Sequence, residues 1–329
     1  MTNANEARPT PVLTAEILLT PPLADLAFTV VAGEKGLSRR ISWGRIQRPG
    51  LAFAGFLAFI KPGRIQILGE SELAYLDTMP EETRRERIES ICALPVAAFV
   101  ITKAQKPPED IVRECRLRKI PLLVSDRTTS VVIQSITRVL EDELAPSVTL
   151  HGVLVDVYGM GVLLLGESGI GKSECALDLV HRGHRLVADD AVEIRRYPSG
   201  ALVGRAAEMI RYHMELRGIG IINIKHLFGV SAVRTSQDVE LVISLERWKP
   251  GEQYDRLGLS QETFEILGEK RPLMRLPVAS GRNLAILIEI AARNELLKSQ
   301  GYDAAREFTE RVDAEIARNA RATTKRARP

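Results

Sequence analysis

Apolar and polar residues form two kinds of segment along the first half of the chain. Short apolar runs, of which 95–102 is the strongest, are typical of buried strands in a sheet. The longer segments between them have the length and the start signals of helices, with Pro80 at a favoured first position. Strands that alternate with helices predict an α/β domain with a largely parallel sheet. The predicted strands cover 64–69, 95–102 and 121–124, and the predicted helices cover 81–92, 108–119 and 128–144.

The sequence Ala145-Pro146-Ser147 interrupts this pattern, and we place a domain boundary there. The boundary gives an N-terminal domain over 1–145, whose role the sequence does not reveal, and a second domain over 146–329. Residues 1–12 are polar and proline-containing, which predicts disorder. The elements predicted in the second domain are a hairpin of strands 152–157 and 162–165 around the turn 158–161, a helix over 174–181, a strand over 240–245, a strongly amphipathic helix over 282–297 and a more polar helix over 304–320.

Composition narrows the class of protein. The chain has 329 residues, enough for two domains, and its 45% hydrophobic and 26% charged content is ordinary for a soluble protein. A net charge of +3 does not suggest nucleic acid as a partner. The three scattered cysteines lack metal-ligand spacing and indicate buried thiols in a reducing compartment. With no signal peptide and no run long enough to span a bilayer, we expect a cytoplasmic protein that binds neither membrane nor nucleic acid.

One stretch of the second domain matches the phosphate-binding P-loop, in which a glycine and four further residues precede Gly-Lys-Ser. Glycines let consecutive backbone N–H groups turn inward around phosphate oxygens. The lysine places a positive charge on the outer phosphates, and the serine hydroxyl can bind Mg²⁺. A strand enters the loop and a helix follows it, so the helix N-terminus adds to the anion site. The predicted nucleotide-binding residues are Gly166, Glu167, Ser168, Gly169, Ile170, Gly171, Lys172 and Ser173.

Two acidic residues, Asp189 and Asp190, follow an apolar strand shortly after the P-loop. A carboxylate there can serve as a general base or an Mg²⁺ ligand, but Asp-Asp is also common in solvated turns, and position alone leaves both readings open. Strand alternation predicts that the two carboxylates point in opposite directions, so that only one faces the nucleotide. His151, at the start of the predicted hairpin strand, is by itself more typical of a structural histidine.

Three further segments carry candidate chemistry. In 214–223 a charged pair precedes two close glycines, which indicates a backbone that turns tightly or approaches a ligand, unless it is an ordinary loop that enters a strand. The predicted loops 253–258 and 277–283 carry Arg256 and Arg282. Arginines near a P-loop can stabilise a phosphoryl group during transfer, although most loop arginines are merely solvated.

Taken in order, these segments resemble the bacterial HPr kinase/phosphorylase family. The resemblance is strongest over 148–300 and looser over 1–145. It implies an N-terminal α/β domain similar to part of the Mur ligases and a C-terminal P-loop kinase domain similar to phosphoenolpyruvate carboxykinase, assembled as a homohexamer. The matching motifs are 151–152, 166–173, 188–190, 215–220, 254–258 and 277–283.

The resemblance also implies an activity and roles for several of the matching residues. Such enzymes use ATP, or in some members pyrophosphate, to phosphorylate a serine of HPr, a small phosphocarrier of the sugar phosphotransferase system. They remove that phosphate by attack of inorganic phosphate, which releases pyrophosphate. Asp190 would accept the proton in the kinase direction and return it in phosphorolysis. The segments 214–223 and 277–282 would be catalytically important loops, the second mainly for dephosphorylation. The resemblance implies His151, Lys172, Asp190 and Arg256 as catalytic residues and Ser173 and Glu215 as Mg²⁺ ligands.

Three other functions use the same P-loop. A small-molecule kinase or carboxykinase-like enzyme would differ only in its acceptor. A GTPase-like switch would need a guanine-reading Asn-Lys-x-Asp, which the nearest candidate, 223–226, does not match. A sensor built on an inactive P-loop is disfavoured because Lys172, Ser173 and Asp190 are all present.

Overall fold

A computed structural model describes residues 12–248, 262–279 and 281–326 of the chain. The stretch predicted to be disordered lies outside these residues except for Val12. The chain forms two compact units that divide between Ala145 and Pro146. No helix within the described ranges is long and apolar enough to cross a membrane.

The first unit is an α/β fold around a four-stranded sheet. Its strands are β1 (Leu13–Thr14), β2 (Thr29–Ala32), β3 (Arg40–Ile41), β4 (Ile65–Leu68), β5 (Ala98–Ile101) and β6 (Leu122–Val124), and its helices are α1 (Gly50–Phe53), α2 (Glu70–Asp77), α3 (Glu81–Cys92), α4 (Glu109–Arg118) and α5 (Thr129–Glu143). The sheet has the order β2-β6-β5-β4, with β4, β5 and β6 parallel and β2 antiparallel at the edge. The predicted α/β architecture with a largely parallel sheet is confirmed.

Both faces of this sheet are buried, which explains why its central strands are almost continuously apolar. Leu68 and Phe99 pack on one face with side chains of α2, α3 and α4. Ile67 and Val100 pack on the other face with α5. The pleat sends successive side chains of a strand to opposite faces, so each strand contributes to both clusters.

The second unit carries the P-loop. Its strands are β7 (Ser147–His151), β8 (Val153–Val157), β9 (Met160–Gly166), β10 (Arg185–Ala188), β11 (Ala191–Arg196), β12 (Leu202–Arg205), β13 (His213–Leu216), β14 (Gly220–Asn223), β15 (Ser236–Arg247), β16 (Thr263–Ile266) and β17 (Glu269–Val278), and its helices are α6 (Lys172–His181), α7 (Ile224–Phe228), α8 (Leu284–Ser299) and α9 (Ala304–Arg326). Nine of these strands form one mixed sheet, and β13 and β14 pair separately.

The predicted hairpin ahead of the P-loop is confirmed. β8 and β9 are antiparallel, and Val157 pairs with Met160. The two turn residues, Tyr158 and Gly159, have φ of +56° and +90°, the left-handed backbone that two-residue hairpin turns require. The P-loop strand therefore pairs with the strand that immediately precedes it in the chain.

The long strand β15 connects the parts of the sheet. One edge of β15 runs parallel to β9, and the other pairs first with β12 and then, in parallel, with β17. Leu245 of β15 lies opposite both Gly166, at the end of β9, and Leu276 of β17. Three parallel strands thus end at the same edge of the sheet, which is the edge where the P-loop begins.

Helices α6 and α8 pack together on one face of the sheet. Glu289 of α8 accepts hydrogen bonds of 3.0 and 2.7 Å from Arg182 and lies 3.0 Å from His184 Nε2, just beyond the end of α6. The prediction that 282–297 is strongly amphipathic is wrong for the outer face of α8. Its inner face is apolar as predicted, but its outer face is apolar too: Ile286 and Ile290 lie there and are 40% and 58% exposed.

Candidate active site

The segment between β9 and α6 has the geometry of a phosphate cradle. Gly169 and Gly171 have φ of +79° and +100°, where a side chain would strain the backbone. The Lys172 ammonium donates hydrogen bonds of 2.9 and 3.1 Å to the carbonyl oxygens of Gly166 and Glu167. The lysine therefore points back into the curve of its own loop, where phosphate oxygens would replace the carbonyls.

A cavity of about 120 Å³ opens at this cradle. It brings together P-loop residues and predicted site residues that are far apart in sequence. The residues around it are His151, Val153, Ser168, Gly169, Gly171, Lys172, Ser173, Glu174, Asp189, Asp190, Glu215 and Arg217.

His151 lies between Lys172 and Asp190. Its Nε2 is 3.2 Å from the Lys172 ammonium, and its Nδ1 is 3.0 Å from the Asp190 carboxylate. An ammonium has no acceptor, so Nε2 accepts that hydrogen bond and Nδ1–H donates to Asp190. The sequence placed His151 in the hairpin strand, which is wrong: it ends β7, and β7 pairs with β11 so that His151 lies opposite Ala191.

Asp189 and Asp190 both reach the cavity, so the prediction that only one of them faces it is wrong. Alternation does not apply because both lie between β10 and β11, and Asp190 has a left-handed φ of +64°. The Asp190 carboxylate is exposed towards His151. Asp189 is buried and accepts hydrogen bonds from Ser173 Oγ, at 2.9 Å, and from the backbone N–H of Glu215, at 3.3 Å.

The sequence context of Glu215 predicted a loop, but the residue lies in strand β13. β13 and β14 form a separate hairpin in which Glu215 is opposite Ile221. Met214 and Leu216 are buried and belong to the apolar cluster beneath the P-loop helix, which anchors one face of this hairpin. The other face leaves Glu215 exposed at the cavity.

Burial shifts the pKa of two charged groups at the cradle. Burial of Lys172 lowers the pKa of its ammonium, against the attraction of Asp190, Asp189 and Glu174. Burial of Asp189 raises the pKa of its carboxyl group, although hydrogen bonds from Ser173 and from backbone N–H groups oppose the shift. Both groups would gain from ligand charges that enter the cavity, phosphate for the lysine and a cation for the aspartate.

The oxygen atoms beside the P-loop suit a hard cation. The Ser173 hydroxyl and the carboxylates of Asp189 and Glu215 all line the cavity, and all are oxygen donors. Within the described ranges, no group of three or more His, Cys, Asp or Glu side chains could hold a metal ion by itself. This sparse oxygen set fits Mg²⁺, which keeps several waters and takes further ligands from bound phosphates.

Comparison with known proteins identifies the family. The model described as HPr Serine kinase C-terminal domain matches residues 142–312, and the one described as HPr Serine kinase N terminus matches 21–140. The HPr kinase/phosphorylase of Geobacter sulfurreducens is 49% identical over 291 residues, which cover 88% of this chain and 91% of the relative. The chain belongs to the HPr kinase/phosphorylase family. The enzyme of that name from Brevibacillus brevis is 45% identical over 89% of this chain and 94% of its own length.

A solved structure is also similar to part of this family member. The Hpr(Ser) kinase/phosphatase from Coxiella burnetii is 38% identical, with a TM-score of 0.45. The match covers 49% of this chain and 98% of the solved one.

The structure of this HPr kinase/phosphorylase family member describes one of the two loop arginines noted in the sequence. Arg256 lies outside the described residues. Arg282 follows β17, which ends at the same sheet edge as the P-loop strand. Its Nη1 donates a 3.3 Å hydrogen bond to the Pro277 carbonyl, which closes its own loop.

Arg217, one of the charged pair noted in 214–223, lies at the cradle, although no individual role was predicted for it. A side chain on Gly169 would meet Arg217, since a Cβ there would lie 2.6 Å from Arg217 Nη1. The guanidinium therefore lies directly against the P-loop backbone. The available signal was its position two residues after Glu215 and immediately before Gly218, at the tip of the β13–β14 hairpin.

A larger open groove, of about 1360 Å³, lies along β17, α8 and α9, away from the P-loop residues. Most of its charged side chains form ion pairs with each other. Arg275, for example, donates to Glu262 and Glu246 at 2.9 and 2.5 Å. We therefore assign the chemistry to the smaller cavity at the cradle.

Proposed function

We propose that this chain is an HPr serine kinase that also removes the phosphate by phosphorolysis. The observation that carries the proposal is the hydrogen-bonded series Asp190, His151 and Lys172 at the mouth of the P-loop cradle. It supports Asp190 as a carboxylate base beside the position where the outer phosphate of a nucleotide would lie. Membership of the HPr kinase/phosphorylase family supports HPr as the acceptor.

In the kinase direction, the serine hydroxyl of HPr attacks the γ-phosphorus of ATP. The new Ser O–P bond forms as the bond from phosphorus to the bridging oxygen breaks and ADP leaves. Asp190 takes the hydroxyl proton, a role worth about 10²–10⁴-fold in rate for a positioned base. The His151 Nδ1–H holds the Asp190 carboxylate in place, and Lys172 exchanges its carbonyl partners for phosphate oxygens.

In the reverse direction, an oxygen of inorganic phosphate attacks the phosphorus of phosphoserine. A P–O–P bond forms, the serine oxygen leaves, and pyrophosphate is the product. The departing oxygen takes its proton from Asp190, so one carboxyl group serves both directions by microscopic reversibility. The same cradle then holds pyrophosphate, which also explains how pyrophosphate could replace ATP as the donor.

We infer that Mg²⁺ binds through Ser173 and Glu215, with Asp189 holding the Ser173 hydroxyl. When bound, the ion neutralises charge on the transferring phosphates. Arg217, against Gly169, and Arg282, after β17, are the proposed positive groups for the remaining phosphate charge. Arg256, which lies outside the described residues, is proposed as a third on the family resemblance alone. Each is a guanidinium, which can bridge two oxyanions at once.

The finer architecture is also part of the proposal. The hairpin ahead of the P-loop supports a phosphoenolpyruvate carboxykinase-like kinase domain, and the four-stranded α/β unit supports a Mur-ligase-like N-terminal domain. A homohexamer is supported by the large apolar side chains exposed on α8, Ile286 and Ile290, which association would bury. Light scattering of the purified chain tests the hexamer.

The deciding experiment is incubation of the enzyme with HPr, ATP and Mg²⁺, followed by intact-mass analysis and then addition of inorganic phosphate. We expect HPr to gain one phosphoryl group and to lose it again as pyrophosphate accumulates. Lys172→Ala should abolish both steps, and HPr with its acceptor serine changed to alanine should stay unmodified. Transfer to small-molecule acceptors without modification of HPr would instead favour a small-molecule kinase.

A further inference from the structure

The exposed face of the β13–β14 hairpin joins the cavity to an apolar surface. Side chains directly opposite each other in an antiparallel pair lie on the same face, so Glu215 and Ile221 are neighbours there. A 3.2 Å hydrogen bond between His213 and Asn223, the next pair on that face, agrees with this register. Glu215 lines the cavity, and Ile221 lies beside it and is 75% exposed.

A second isoleucine extends this surface. Ile219, at the hairpin tip, is 73% exposed and donates its backbone N–H to Leu216 O at 3.1 Å. It lies between the strand of Glu215 and that of Ile221, two residues from Arg217. By contrast, the exposed side chains that line the described part of the cavity are polar or charged, namely His151, Ser168, Glu174, Asp190, Glu215 and Arg217.

The size of the cavity determines where an acceptor protein must lie. About 120 Å³ admits a few small groups, such as a serine side chain and part of a phosphate, but not a folded domain. If the serine of an acceptor reaches Asp190, the body of that protein must rest on the rim. The hairpin face of Ile219 and Ile221 forms one side of that rim.

We propose that Ile219 and Ile221 form the docking surface for the phosphoacceptor protein. This inference rests on the proposed function and specifies how HPr is held. The partner surface is an apolar patch next to the acceptor serine, which buries both isoleucines when the serine enters the cavity. An apolar contact surrounded by polar groups is the usual arrangement of a protein interface.

An ordinary explanation competes with this one. Isoleucine favours strands, and single exposed apolar residues are common on protein surfaces. Strand propensity accounts for an isoleucine at 221, but not for a second one at the tip, where the chain leaves the strand. The hairpin is already anchored on its other face by Met214 and Leu216, so neither exposed isoleucine is needed to hold it.

The test uses the full-length enzyme with purified HPr. Ile221→Thr keeps a β-branched residue in the strand and removes the apolar surface. We expect the KM for HPr and the Kd for HPr to rise about tenfold, with the KM for ATP unchanged. Ile219→Thr should behave in the same way, and the double variant should be weaker than either. If Ile221→Thr does not fold, Ile219→Thr decides.

The matched control is Leu117→Gln, an exposed aliphatic residue on helix α4 of the other unit, which should change none of these values. Unchanged HPr binding in the folded isoleucine variants, or a loss confined to kcat, would overturn the docking surface. A change in assembly state would also overturn it, by showing that a second copy of the chain covers this face. Failure of the wild type to phosphorylate HPr is a separate result, which rejects the proposed function itself.

Discussion

His151 Nδ1 lies 3.0 Å from the Asp190 carboxylate, although 38 other residues separate them in the chain. Antiparallel pairing of β7 with β11 brings them together, because His151 ends one strand and Asp190 precedes the other. The backbone N–H of Gly152 also donates to the Asp190 carbonyl at 3.1 Å, which fixes the same corner. The proposed base is therefore positioned by a neighbouring strand and not by its own.

Comparison of His151→Asn with His151→Ala separates the effect of the contact with Asp190 from that of the contact with Lys172. Asparagine places an N–H donor close to the position of Nδ1, so it can keep the bond to Asp190 while it loses the one to Lys172. We expect His151→Ala to lower kcat by about 10²-fold in both directions and His151→Asn to lower it less. Equal losses in the two variants would show that the contact with Lys172 matters more.

Asp189→Asn should act through the metal requirement. The buried Asp189 carboxylate holds the Ser173 hydroxyl, and loss of a group that orients a metal ligand typically costs 10–100-fold in metal affinity. We expect the Mg²⁺ concentration for half-maximal activity to rise by about tenfold or more. Asp178→Asn, which lies on α6 with Ser173 but outside the cavity, is the control. An unchanged Mg²⁺ titration with full activity would contradict the assignment.

Arg282→Ala should impair phosphorolysis more than phosphorylation. In the reverse direction an anionic phosphate must approach an anionic phosphoserine, whereas the forward nucleophile is a neutral hydroxyl. The lost charge-assisted bond should cost on the order of 1–3 kcal/mol in the reverse barrier. Initial rates in both directions on one preparation measure this. Equal loss in both directions would instead indicate that Arg282 only closes its loop through the Pro277 carbonyl.

A fragment of residues 146–329 should fold and retain some kinase activity. Among the described residues, the second unit builds two apolar clusters from its own side chains, and 184 residues are enough to bury a core. Circular dichroism and the HPr phosphorylation assay check the two parts of this prediction. A folded fragment without any activity would show that residues 1–145 supply groups needed for catalysis.

Glu289→Gln should weaken the second unit in a pH-dependent way. Hydrogen bonds from Arg182, helped by His184, hold the pKa of Glu289 at about 2, below its ordinary 4.5. A lowered pKa means that this stabilisation is complete above pH 4.5 and is lost as the pH falls towards 2. We expect the substitution to lower the free energy of unfolding at pH 7 by about 2 kcal/mol. The free energy of unfolding of the variant should also fall less steeply than that of the wild type between pH 4.5 and 2.

Urea unfolding at a series of pH values measures this effect. Glu295→Gln on the same helix removes a longer, half-buried pair with Lys298, at 3.6 Å, and should cost less than the loss of the Glu289 network. If the two variants have the same acid dependence, the Glu289 network does not stabilise the fold as proposed.

Local signals in the sequence were sufficient to predict the P-loop and the hairpin before it. The glycines of the loop, the turn at Tyr158-Gly159 and the start of α6 all depend on residues close together in the chain. The position of His151 does not, because it depends on which strand pairs with β7. Strand alternation failed at Asp189-Asp190 because the chain had already left the strand, and a left-handed residue redirects the second side chain.

The β13–β14 hairpin was missed for a similar reason. The glycines in 214–223 correctly indicated a tight turn, and Gly218 and Gly220 both have positive φ. The flanking residues are strands because 213–216 pairs with 220–223. The local sign of this is the alternation of buried Met214 and Leu216 with exposed Glu215, which spans few positions. Contact of Arg217 with Gly169 joins two loops, so neither segment alone could reveal it.

The row formed by Gly166, Leu245 and Leu276 fixes the distance between two loops of the proposed active site. Two strand spacings, about 10 Å in total, separate the base of the phosphate cradle from that of the Arg282 loop. Backbone hydrogen bonds set this span, so substitutions within either loop change its chemistry without moving its base. Any ligand or pair of ligands that contacts both loops must match a length dictated by the sheet.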